Sequence, residues 1–409
     1  MTSYRQRLVD GLLAELLAEL PALMLVGPRA VGKTTTALRH AKSVVRLDRP
    51  AEAAAFKADP DAALRVFEEP VLLDEWQVVP EVLGAVKRAV DSSGRPGRFL
   101  LTGSVRADLE EATWPATGRV VRVAMYPLTV AEVLETRTRP FVDRAAAGEH
   151  LAAAADTPDL GGYVELALTG GFPEPALKLG EPARIRWLEG YVDQLLTRDA
   201  LLVDGRRDPA LLRRYVEAYA LNSAGVVGHK TIYDAAGVNR KTADAYERLL
   251  ENLMVVDRVP AWSSNRLKRL TRRPKRYLVD PSLVGAILGL DLRTVLTDGD
   301  LLGRLLDTFV ASQLRAQVAV ASTRPRLYHL RDEQGRHEID VIAELGGGGV
   351  VAVETKSSSA PDRADARHLL WLRERLGSRF VRGVILHTGP ATYEIGDEIV
   401  AAPISTLWA

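Results

Sequence analysis

Gly27-Pro28-Arg29-Ala30-Val31-Gly32-Lys33-Thr34 is the stretch on which the reading of this chain turns. It lies between an apolar run, Ala22-Leu23-Met24-Leu25-Val26, and a segment, Lys33 to Lys42, that reads as a helix. A loop that cradles phosphate needs exposed backbone N–H groups, and glycine lets the chain turn tightly enough to aim them inward. A helix that follows adds its positive N-terminal dipole. In such a P-loop Lys33 reaches the β- and γ-phosphates, and the Thr34 hydroxyl ligates Mg²⁺. The expected binding set is Gly27, Pro28, Arg29, Ala30, Val31, Gly32, Lys33, Thr34 and Thr35. At ordinary residue frequencies this pattern arises by chance about once in a hundred chains of this length.

Outward from the loop, short apolar segments alternate with helical ones. The predicted strands are Leu23–Val26, Ser43–Leu47, Pro70–Leu73, Arg98–Thr102 and Arg119–Val123. Residues 1–20 place Leu8, Leu12, Leu16 and Leu20 at helical spacing. Alternation of this kind is the signature of a parallel sheet with crossover helices. Val71-Leu72-Leu73-Asp74-Glu75 is an apolar strand ending in two acids. Asp74 is expected to hold Mg²⁺ with Thr34, and Glu75 to orient or deprotonate the attacking water. Phe99-Leu100-Leu101-Thr102-Gly103-Ser104 ends in hydroxyls, and Thr102 or Ser104 is expected to touch the γ-phosphate or that water. Phosphoryl transfer also needs a further cation. The candidates are Arg29, Arg106, Arg119 and Arg198, of which Arg119, opening a strand, is the preferred one.

These motifs resemble a known family. The spacing of Gly-Pro-Arg-x-x-Gly-Lys-Thr, Leu-Leu-Asp-Glu-Trp-Gln-x-x-Pro and Leu-Leu-Thr-Gly-Ser is similar to that of prokaryotic AAA+-type ATPases known mostly just as ATP-binding proteins. The likeness continues through Gly118-Arg119-Val120, Tyr126-Pro127-Leu128, Gly170-Gly171-Phe172-Pro173-Glu174, Arg198-Asp199 and Lys275-Arg276-Tyr277-Leu278-Val279-Asp280 to Glu354-Thr355-Lys356. It implies Mg²⁺-dependent hydrolysis of ATP to ADP and phosphate, and a C-terminal domain of unknown function. Trp76 departs from the family, which usually has an aliphatic residue there.

The expected organisation is an α/β protein in four parts. Residues 1–125 form the P-loop ATPase sheet and 126–205 a helical lid or connector, with the Ala-rich stretch Arg144–Ala155 and the segment Ala183–Asp199 helical. Residues 206–285 read as a winged helix-turn-helix. In that part Thr231 caps Ile232–Ala236, Gly237 makes the turn, and Asn239 caps Arg240–Leu253. Residues 286–409 form an α/β domain that looks like the restriction-endonuclease fold. There Asp340 and the Glu354/Lys356 pair are expected on adjacent hairpin strands, where acids bind Mg²⁺ and the lysine positions water. Asp307 is a fourth candidate. An Asp with a nearby Glu-x-Lys arises roughly once per chain of this size, so the pattern alone says little.

Net charge is +1 over 409 residues, so nucleic-acid contact must come from a local patch. Arg266 to Arg276 supplies one, with seven cations and no acid in eleven residues. Its candidate contacts are Arg266, Lys268, Arg269, Arg272 and Arg273, joined by Arg240 and Lys241 at the start of the recognition helix. DNA or RNA is thus an expected partner, and self-association is another. With no cysteine, disulfides and thiolate metal sites are excluded, which fits a reducing cytoplasm. The 7 histidines show no zinc-type spacing. No apolar run approaches the roughly 20 residues of a membrane span. Three further roles compete with plain ATP hydrolysis: a DNA-binding regulator using ATP as a conformational ligand, an ATP-gated nuclease, and an interaction scaffold.

Overall fold

The five apolar runs near the N-terminus become five strands: β1 (Ala22–Val26), β2 (Ser43–Arg46), β3 (Val71–Asp74), β4 (Phe99–Gly103) and β5 (Val121–Ala124). The computed structural model describes residues 4–103, 118–199, 208–332 and 335–409. All neighbouring strands pair in parallel, in the order β2-β3-β4-β1-β5. β3 and β4 are buried along their whole length. A parallel sheet covered by crossover helices is dry on both faces, which is why these runs are continuously apolar rather than alternating. Because β4 enters between β1 and β3, Thr102 is the register partner of both Leu25 and Asp74. Phe56, Trp76, Val86 and Phe99 lie in the core beside this sheet.

Two helices are shorter than expected. The first spans Val9–Glu19. The helix after the P-loop runs only Lys33–Ala37, ending before Lys42. Three consecutive β-branched threonines, Thr34 to Thr36, have restricted side-chain freedom in a helix, and the chain leaves it as turns.

The chain divides into two compact units, Met1–Tyr126 with Leu250–Val255, and Pro127–Leu249 with Val256–Ala409. In the second, helices span Phe141–Ala146, Leu160–Thr169, Pro173–Lys178 and Glu181–Gln194, the last running into a wider turn at Leu195–Asp199. The Ala-rich stretch is not one helix to Ala155. Gly148, at φ 72°, stops it, and too few residues remain before Pro158 to nucleate another. The Gly170-Gly171 break has a steric cause. A Cβ on Gly171 would stand 2.1 Å from the Leu128 carbonyl oxygen. Gly171 N–H donates to buried Asp280, which also accepts from the Ser282 backbone.

Further on, helices Pro209–Leu221, His229–Ala236 and Arg240–Asn252 precede an antiparallel pair, β6 (Val256–Val259) and β7 (Lys275–Leu278). Gly237 is left-handed at φ 67°, and the Asn239 side chain accepts from Thr242 N–H at 2.9 Å. Thr231 is not a cap; the helix begins at His229 and Thr231 lies inside it. The connection between β6 and β7 holds a short helix, Arg266–Thr271, rather than an open loop.

The C-terminal sheet comprises β8 (Arg326–Arg331), β9 (Glu338–Glu344), β10 (Val350–Thr355), β11 (Phe380–His387), β12 (Tyr393–Gly396) and β13 (Ile399–Pro403). Its order is β12-β13-β11-β10-β9-β8, with β10, β11 and β13 parallel and the rest antiparallel. The glycine turn closes β9 onto β10 through Leu345 N–H to the Gly349 carbonyl at 2.8 Å. Helices Gly299–Val318 and Arg367–Leu376 pack on this sheet. Among the described residues no helix is long and apolar enough to cross a membrane.

Candidate functional site

β1 lies between β4 and β5 in the first sheet, and the turn begins after it at Gly27. A Cβ there would stand 2.1 Å from the Met125 carbonyl oxygen, so only glycine lets the loop lie against the end of β5. Ala30 (φ 62°) and Gly32 (φ 94°) are both left-handed. For Ala30 that conformation stores about 1–3 kcal/mol, a strain typical of ligand clamps. Lys33 is buried, and its Nζ donates to the carbonyls of Gly27 and Pro28 at 2.9 and 2.7 Å. Burial pulls its pKa down to about 8, against the raising influence of Glu75 and Asp74. A desolvated ammonium met mainly by carbonyl dipoles suits a polyanion, whose charge restores what burial removes. The loop therefore fits a nucleotide's phosphates. Because the helix behind it is short, Lys33 and the loop carry more of that fit than a long helix dipole would.

The Thr34 hydroxyl donates to Asp74 Oδ1 at 2.7 Å, and the Thr102 hydroxyl to the same oxygen at 2.5 Å. Thr34 and Asp74 together offer the hard oxygen donors that Mg²⁺ prefers. Of the two hydroxyls expected at the γ-phosphate or the water, Thr102 is buried and donates to Asp74. Glu75 follows at φ 55°, a left-handed residue that breaks the strand's alternation of faces. Of the charges acting on Lys33, Glu75 has the largest influence. Gln77 Nε2 donates to its carboxylate. Trp76 is buried, and its Nε1 would lie 2.8 Å from a Cβ on Gly103, with Gln77 Oε1 at 2.6 Å. That contact explains the glycine in Leu-Leu-Thr-Gly.

Arg119, expected near one edge of the site or at a subunit face, lies away from the P-loop. Val121 pairs with Leu23, so Arg119 lies beyond the end of the sheet where the strands begin, opposite the P-loop. It pairs there with Asp91 at 2.9 Å. Ser104 and Arg106 lie outside the described residues, as does the side chain of Arg198. Sequence reasoning missed Arg7. Its buried guanidinium donates to the Val31 carbonyl inside the P-loop at 2.7 Å and to the Tyr126 carbonyl at 2.6 Å. No sequence signal marks it, because both acceptors are backbone atoms far along the chain.

In the second unit, Asp307, Asp340, Glu354 and Lys356 line one cavity of about 270 Å³, with Glu338 and His368. Lys356 Nζ lies 3.2 Å from Glu354 Oε2. Burial pushes the Glu354 carboxyl up to about 8. Asp340 and Glu354, the acids expected to bind Mg²⁺, both line this cavity with Lys356; among the described residues no group of three or more acids or histidines is placed to hold a metal ion. A lysine unforeseen from the sequence, Lys275, stands between Asp307 and Asp340, at 3.1 and 2.8 Å.

That lysine also revises the basic segment. Arg269 is corrected as a surface contact, since it forms a two-pronged pair with Glu344 at 2.7 and 2.8 Å, only 9% of its side chain exposed. Lys275 and Arg276 are buried, Arg276 against Glu247 at 2.8 Å. Arg266, Lys268 and Arg273 are exposed, as are Arg240 and Lys241; Arg272 is half-buried.

Residues 19–134 match the family described as an AAA domain, so the first unit carries an AAA-type, P-loop ATPase-like domain. Residues 161–294 and 302–407 match two domains of unknown function, DUF8612 and DUF4143. The uncharacterized proteins Mb2031c of Mycobacterium bovis and Rv2008c of Mycobacterium tuberculosis are 29% identical over 388 residues, covering 94% of this chain and 80% of theirs. Among solved structures, the Walker-type ATPase PABY2304 of Pyrococcus abyssi is 15% identical, covering 68% of this chain and 94% of its own, with a TM-score of 0.43. A variant of RuvB of Thermotoga maritima is 20% identical, covering 65% and 93%, at a TM-score of 0.29. Both scores fall short of a shared overall arrangement.

Proposed function

We propose that this protein is an Mg²⁺-dependent ATPase of the AAA+ type. The observation that carries the reading is Lys33, buried on the P-loop carbonyls beside the Thr34–Asp74 pair. Bound at Thr34 and Asp74, Mg²⁺ would supply charge neutralisation and alignment of the phosphates. Lys33 binds the phosphate oxygens in exchange for the loop carbonyls. Thr102 holds Asp74 in place. Glu75, oriented by Gln77, takes the proton of the attacking water. With Arg119 at the far end of the sheet, the remaining positive charge falls to Arg29 and to an arginine of a second copy, which makes self-association part of the proposal. Residues 126–205 as a lid and 206–285 as a winged helix belong to the same reading.

Phosphate release from ATP and Mg²⁺ by the full chain tests it. Turnover is expected in the wild type and not in Lys33→Ala; equal release by both would refute the reading.

One surface favours a nucleic-acid partner. On the helix between β6 and β7, Leu267 and Leu270 are 75% and 82% exposed among Arg266, Lys268 and Arg273. Cations release condensed counterions from phosphates, and apolar wedges can enter between bases. DNA that binds with an affinity falling steeply with salt, and less steeply in Arg266→Ala/Arg273→Ala, is the expected result; a protein partner would leave DNA affinity absent in both.

A further inference from the structure

One buried charge has no place in nucleotide hydrolysis. Lys275, on β7, is 1% exposed. Its Nζ donates to Asp340 Oδ1 on β9 at 2.8 Å and reaches Asp307 Oδ2, on helix Gly299–Val318, at 3.1 Å. Three elements thus meet on a single ammonium. The other Asp340 oxygen accepts from Thr355 N–H at 3.0 Å. Beside them Glu354 Oε1 is buried without a hydrogen-bond partner and lines the same cavity.

Two carboxylates converging on one point are an arrangement that usually holds a divalent cation. An ammonium is a compact point charge with three donors, and it meets the same demand. We propose that Lys275 is the resident cation of the Asp307–Asp340 pair, and that Lys275 and a divalent metal ion exclude one another between those two carboxylates. The reason is spatial as well as electrostatic. An ion held by Asp307 Oδ2 and Asp340 Oδ1, the two oxygens that Lys275 Nζ touches, would occupy the place of that ammonium, and two like cations cannot share it. Without either cation, two buried carboxylates face each other with only Lys356 across the cavity to offset them. Metal entry between those carboxylates therefore depends on withdrawal of β7, the second strand of the β6–β7 pair. This holds whether or not the first unit hydrolyses ATP.

The test is Mn²⁺ uptake by the nucleotide-free full chain, followed by paramagnetic resonance of the free ion, in the wild type, Lys275→Met, Asp340→Asn and the double variant. Subtracting Asp340→Asn removes ions held at the P-loop. The wild type should show no Asp340-dependent uptake. Lys275→Met should gain at least about tenfold in Mn²⁺ affinity, with a melting temperature that Mn²⁺ raises, and lose both in the double variant. Asp340-dependent binding by the wild type overturns the proposal, as does a folded Lys275→Met with no gain. If Lys275→Met does not fold alone, refolding with Mn²⁺ decides: recovery supports the exchange of cations, and failure to recover rejects it.

Discussion

Glu75 combines a strained backbone with the strongest charge influence on Lys33, and both follow from its place one residue past a buried strand. Glu75→Gln should keep the shape and the hydrogen-bonding reach while removing the base. ATP binding by calorimetry should be unchanged, and turnover should fall about a hundred- to ten-thousand-fold. Wild-type turnover in that variant would remove Glu75 from the mechanism. Glu354 invites a different measurement. Its carboxyl titrates near 8 in the folded protein because it is buried, whereas an unfolded chain gives it an ordinary value of 4.5. The native state therefore holds a proton that the unfolded state releases. That stabilisation is complete below about pH 4.5 and is lost as pH rises through about 8. Glu354→Gln should flatten the pH dependence of urea unfolding across this window, by a few kcal/mol at most. An identical slope in both proteins would place the shift elsewhere.

At the scale of elements, close approaches set which residues the loops accept. Gly103 ends β4 under Trp76 and Gln77, and Gln77 in turn holds Glu75. Gly103→Ala must displace those two side chains. It is expected to destabilise the protein by about 1–3 kcal/mol and to lower turnover through Gln77. Unchanged unfolding and unchanged turnover would show that the contact yields freely. The sequence revealed β1 to β5 within a residue or two, because buried parallel strands have a local apolar signature. It overextended the helix after the P-loop and the alanine-rich one. Helix composition was visible in both, but the exits were not; one of them is set by the left-handed Gly148.

For the whole molecule, the division of the chain is not linear. The first unit takes in Leu250–Val255 along with Met1–Tyr126. A fragment ending at Tyr126 lacks that piece of its own unit. It should unfold at lower urea than the nucleotide-binding part of the intact chain and bind ATP more weakly; equal stability and affinity would show residues 250–255 to be dispensable. The charge balance is likewise local rather than global. A net charge of +1 conceals a segment of seven cations, three of which the fold neutralises in ion pairs.

The sequence by itself determined the glycine-rich loop after β1, the two acids at the end of β3 and the parallel sheet that carries them. Each depends on neighbours within a few residues: glycine where the backbone must turn, apolar runs where strands are dry. Tertiary structure decided the partners of charges. Lys275 reads as one cation in a basic run, yet it lies between acids 32 and 65 residues away. Arg119 reads as a candidate for the site, yet strand direction sends it to the other end of the sheet. Strand order and register fix such pairings, and those are set by packing between distant segments, on which local sequence has little influence.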